Sequence, residues 1–188
     1  MNSIRRIAVV LVLAVLLASP SFAAPKDAAG LPGFVDGTAF ADLAGEEDEI
    51  VEVNLGPSML SALARGAAQD REASSILTGL TSVTAYVLTM KGDGGRFQKA
   101  LDLVRDTESR LEKAGWERLA RVRDGKERVN IFALNGKAAM EGLTVLVVDA
   151  EAGEVVFLNL AGTIDLARLG DLEGTLDIPG LEAVKAAE

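Results

Sequence analysis

The chain has 188 residues, no histidine, no cysteine and a formal charge of −9 at pH 7. Without imidazole or thiol there is no Ser-His-Asp or Cys-His triad, no zinc site on those ligands, no haem held by them and no thiol redox chemistry. An acidic chain is repelled by a phosphate backbone, so nucleic acid is not an expected partner.

Residues 1–23 read as a secretory signal. Arg5 and Arg6 precede the apolar run 7–18, followed by Pro20 and the small Ser21 and Ala23. Cleavage is expected near Ala23, leaving a periplasmic or extracellular protein. The apolar run is too short to cross a ~30 Å hydrocarbon core, so no stable membrane span is expected after cleavage. Losing two arginines and no acid takes the formal charge from −9 to −11. The remaining chain of about 165 residues suits one domain that buries roughly 70% of its unfolded surface. With no cysteine, its stability must come from packing alone.

Residues 24–45 begin rich in Ala, Pro and Gly and read as a flexible N-terminal lead-in, with Phe40 and Leu43 placed for a short helix. The acids Glu46, Glu47, Asp48 and Glu49 read as a solvated approach to a strand at 50–55, where Val51, Val53 and Leu55 alternate with Glu52 and Asn54. Gly56 and Pro57 start a helix whose Met59, Leu60, Leu63, Ala64 and Ala67 keep helical spacing. A short helical piece follows at 71–77, then a β-rich strand at 80–90. Residues 97–114 predict the longest helix, striped by Phe97, Leu101, Val104, Leu111 and Ala114, with Gly115 beyond its end.

Strands at 116–122 and 127–134 enclose Asp124-Gly125, a two-residue hairpin signal. A longer hairpin, 142–164, folds around a loop at 149–154 in which Gly153 suits a positive φ. With Val148 opposite Val155, one face carries Leu143, Val145, Val147, Val156, Leu158 and Leu160. That all-aliphatic face is expected against the core. The other face, Thr144, Leu146, Val148, Val155, Phe157 and Asn159, is mixed and is expected to be open in part. Asp165 predicts a short helix through Leu169, and 173–188 reads as a tail.

The order β-α-β-α-β-β-β-β predicts an α+β fold. It has two layers, a mostly antiparallel sheet of about six strands and two main helices on one face. A single domain is expected over 46–172.

Several phrases resemble the bacterial domain of unknown function 4252 (DUF 4252). They are LPGFVDGTAFADLAGEED leading into VEVNLG, GWERL followed by RVR at 121–123, and GLTVLVVDAEAGEVVFLNLAGTID at 142–165. The resemblance implies exported, single-domain proteins, often encoded near sigma and anti-sigma factors. It implies no activity and no catalytic residue.

No catalytic residue, metal ligand or cofactor is expected from the remaining chemistry. Asp149, Glu154 and Asp165 stand where turn and capping duties explain them. Residues 92–96, GDGGR, lack the Lys-Ser/Thr of a P-loop.

One constellation stands out. With Asp124-Gly125 as the turn, Arg123 faces Lys126, Arg121 faces Arg128, and Leu119 faces Asn130. The cations Arg121, Arg123, Lys126 and Arg128 then crowd one hairpin face of an acidic chain, where opposed like charges destabilise a pair. Either Glu117, Glu127 or a neighbouring strand neutralises the row, or it meets an anionic ligand or acidic partner. Continued into Leu146, Val148, Val155 and Phe157, it would form an apolar patch rimmed by cations, unless the N-terminal segment packs over that face as core. The function expected is a non-enzymatic binding or regulatory module of the cell envelope. It would act through an exposed sheet face on a protein partner or a second copy. A carboxylate-based hydrolase or lyase, with or without a divalent metal, is the alternative.

Overall fold

The computed structural model describes residues 30–92 and 94–164. The signal at 1–23, the helix after Asp165 and the tail at 173–188 lie outside the described residues. The elements follow the sequence pattern closely. A short α1 (Thr38–Ala41) precedes β1 (Glu49–Leu55), α2 (Pro57–Gly66), α3 (Arg71–Gly79) and β2 (Leu80–Thr89). Then come α4 (Gly94–Lys113), β3 (Glu117–Asp124), β4 (Glu127–Asn135), β5 (Met140–Asp149) and β6 (Glu154–Ile164). The fold is α+β, with a single antiparallel sheet in the order β1-β2-β6-β5-β4-β3. The long hairpin β5–β6 sits at its centre with Val148 opposite Val155, and Gly153 takes φ 68° in its loop.

The two faces are not divided as their composition suggests. The mixed face is the drier one: Thr144, Leu146, Phe157 and Asn159 are fully buried. Across it lie Tyr86, Leu88 and Phe132, and Ala100, Val104 and Leu111 of α4 pack down on them. Phe40 of α1 stacks on Phe157 at 5.1 Å between ring centroids. The aliphatic face instead receives α2 and α3 near one end, where Leu60, Ile76 and Leu77 join Leu55, Val83, Leu158 and Leu160. Farther along, Val129, Ile131, Val147 and Val156 cluster with Val87, Val122 and Val145.

The polar residues of the mixed face explain the difference, because a buried polar group costs little once it is hydrogen-bonded. Asn159 Oδ1 accepts from Val35 N at 3.0 Å, and its Nδ2 donates to Gly33 O at 2.9 Å and Thr144 Oγ1 at 3.0 Å. The lead-in expected to be flexible over 24–45 is therefore clasped to the centre of the sheet from Gly33 onward. Gly33 (φ 79°) and Gly142 make the clasp possible. A Cβ on Gly33 would stand 1.8 Å from Glu141 O, and one on Gly142 would stand 2.6 Å from the Gly33 Cα.

The acidic approach to β1 is likewise structural. Asp48 accepts from Gly45 N at 2.8 Å and Lys91 N at 2.9 Å, and it pairs with Arg96 at the start of α4. The Lys91 and Gly45 amides hold the Asp48 carboxyl below its ordinary pKa, with Arg96 adding to them. Arg96, the basic end of the GDGGR stretch, is thus committed to tying α4 to β1.

Candidate functional site

The β3–β4 hairpin turns on Gly125 and Lys126, not on Asp124 and Gly125, so Asp124 pairs with Glu127. A turn on Asp124-Gly125 would need positive φ at both residues, whereas Gly125-Lys126 needs it only at Gly125, which has φ 56°. That one-residue slip resets the basic row. Arg123 now stands opposite Arg128, and Arg121 stands opposite Asn130. Lys126 leaves the row for the turn. A bulge between Arg118 and Ala120 sends Leu119 to the aliphatic side, and Arg118 comes to face Phe132.

The basic row lies on the same side of the sheet as α4, and the two meet in a cleft. Arg105 and Glu108 of α4 line it together with Arg121, Arg123, Arg128 and Asn130, around a volume of about 130 Å³. Glu108 organises the inner wall. It accepts from Asn130 Nδ2 at 2.9 Å and Arg118 Nη2 at 3.3 Å, and Arg121 Nη2 approaches it to 3.9 Å. Asn130 Oδ1 accepts from Arg121 Nε at 3.2 Å, which fixes that guanidinium. Burial pushes the Glu108 carboxyl above its ordinary pKa, and Arg121 pulls it part of the way back. Beneath, Arg118 bonds Glu112 at 2.7 Å and lies 4.9 Å from the centroid of the Phe132 ring.

The outer wall is less committed. Arg105 pairs with Asp102 on its own helix at 3.1 Å, and both side chains are well exposed. Arg123 and Arg128 are exposed, and among the described residues no carboxylate reaches ion-pair distance of either. Neither expected neutraliser fills that role. Glu117 accepts from Asn135 Nδ2 at 2.9 Å, and Glu127 is buried on the opposite side of the hairpin.

Leu146, Val148, Val155 and Phe157 do not extend this site. They are between 0 and 4% exposed beneath α4 and Phe40, so they form core and offer no contact surface. The site residues that sequence pattern missed are Arg105, Glu108 and Asn130. The signal for the first two was their i,i+3 spacing on the face of α4 that flanks its apolar stripe.

A second charged feature crosses the opposite side. Glu49, Thr89, Glu154, Asp149, Glu127 and Asp124 stand in one transverse row at the end of the sheet. Glu127 has its pKa raised by burial first, then by Asp149, Asp124 and Glu154. Asp149 is turned back on its own loop, accepting from Glu151 N at 2.8 Å, and Glu49 accepts from Lys91 at 2.6 Å. Among the described residues no three acids are grouped so as to hold a metal ion. Nor is any helix there long and apolar enough to cross a membrane.

The sequence pattern of the family described as "Domain of unknown function (DUF4252)" matches residues 42–172. The chain belongs to this family. No curated protein and no solved structure matches it. The DUF4252 match contains the whole arginine cleft. The clasp formed by Gly33, Val35 and Phe40 precedes it.

Proposed function

We propose that this DUF4252 chain is an exported, non-enzymatic binding module of the cell envelope whose arginine cleft takes an anionic group of a ligand or partner. One observation carries the reading. In a chain of net charge −9, Arg123 and Arg128 are placed directly opposite each other with no carboxylate at ion-pair distance of either among the described residues. Opposed like charges cost a sheet roughly 0.2–1 kcal/mol, and an external anion removes that cost. The absence of histidine and cysteine from the sequence supports a binding role over catalysis. The charged, apolar and small-residue order of 1–23 supports export.

The test is crosslinking of the processed protein in its own envelope fraction, comparing wild type with R121E/R128E, each shown to be folded by circular dichroism. A defined adduct formed by wild type and lost in the variant supports the proposal. An adduct of equal yield with both overturns it. Mass spectrometry of the processed chain checks the location, with Ala24 expected as the first residue.

A further inference from the structure

We infer that the cleft between α4 and the β3–β4 hairpin is built for one doubly charged phosphoryl group, as in a phosphate monoester or free phosphate. This rests on the cleft being an anion site at all and names the anion. Three features point to it.

The first is direction. The guanidinium groups come from three elements: Arg105 from α4, Arg121 and Arg123 from β3, and Arg128 from β4. A carboxylate is planar, and one or two guanidinium forks in its own plane satisfy it. A tetrahedral phosphoryl group presents three terminal oxygens in three directions, which suits donors arriving from separate walls.

The second is charge. Arg105 already has Asp102, and Glu108 serves Arg121 while also feeling the charge of Arg128, so four guanidinium groups meet two carboxylates and two positive charges are left over. Two open positive charges match the charge of about −1.5 to −2 that a phosphoryl group carries near neutral pH.

The third is preorganisation. The bond from Arg121 Nε to Asn130 Oδ1 and the bond from Asn130 Nδ2 to Glu108 fix the inner guanidinium before any ligand arrives. Less ordering then remains to be done on binding. A volume of about 130 Å³ holds one such group with its stem directed outward.

Isothermal titration calorimetry at pH 8 and low salt, on the full processed chain, tests the assignment with four probes: phenyl phosphate, inorganic phosphate, dimethyl phosphate and glutarate. Phenyl phosphate or inorganic phosphate is expected to bind. Dimethyl phosphate, a monoanion with two free oxygens, is expected to bind at least tenfold more weakly. In R123Q/R128Q, whose substituted side chains are exposed, the phosphoryl affinity falls tenfold or more, while K137Q, away from the cleft, is unchanged. A preference for phenyl phosphate assigns a monoester, and the reverse assigns the free ion.

Glutarate or dimethyl phosphate binding as tightly as the phosphoryl dianions overturns the phosphoryl assignment and leaves the broader anion site standing. Binding of none of the four overturns the assignment as well. Only the envelope crosslinking comparison above then decides the broader site.

Discussion

Replacing Asn159 by leucine, which has a similar branched shape, removes every hydrogen bond of the clasp while keeping the layer filled. Three bonds of 3.0 Å or shorter are lost in a buried or half-buried setting, those to Val35 N–H, the Gly33 carbonyl and the Thr144 hydroxyl, along with a longer one of 3.4 Å to the Leu143 carbonyl. Each of these three orphaned groups costs about 1–3 kcal/mol, so the variant should lose roughly 3–5 kcal/mol of folding stability, taking low values for the two backbone groups near the surface strip. That is a large share of the ~5–15 kcal/mol available to a domain, and at about 2–4 °C per kcal/mol it lowers Tm by roughly 6–20 °C. Urea unfolding reads the loss. Hydrogen exchange at the Val35 amide, expected to rise steeply, locates it. A loss below about 1 kcal/mol, or an unchanged Val35 amide, would refute the view that Asn159 makes the mixed face dry.

Two further outcomes follow from the charged rows. Glu127 has a raised folded-state pKa, so its ionised form opposes folding above that pKa, and the effect vanishes below the unfolded value of about 4.3. E127Q should therefore stabilise the protein by about 1 kcal/mol at pH 8, roughly 2–4 °C in Tm, with the gain shrinking to nothing near pH 4. Thermal scans across that range check both the sign and the window. In the cleft, Glu108 is the carboxylate that competes with an incoming anion, so E108Q should tighten phenyl phosphate binding about 2–5-fold by calorimetry.

Most of the fold was legible because its signals are local. The alternation in β1, the Pro57 start of α2, the stripe of α4 and the loop glycine at 153 each report their own surroundings. The division of the two faces was not local. Asn159 looks like a surface residue until Val35 and Gly33, more than a hundred residues away in sequence, supply its partners, and Thr144 is satisfied in turn by Asn159. The basic row was legible as a charge anomaly, yet its register was not, since Asp124-Gly125 and Gly125-Lys126 differ by one residue and by the number of positive φ angles each demands. That slip expelled Lys126 from the row and moved Asn130 from opposite Leu119 to opposite Arg121. Glu108 and Arg105 could be assigned to the cleft only once α4 was known to lie over that side of the sheet.

The clasp at Gly33 and Val35 also bears on the order in which the molecule is completed. Among the described residues its bonds span 124 and 126 positions in sequence, more than any strand pairing in the sheet, so loop-closure entropy favours their forming after β5 and β6 have met. A protease cut between Val35 and Phe40 would leave all six strands paired, yet it would free the strip that covers Phe157 and bring that aromatic layer into contact with water.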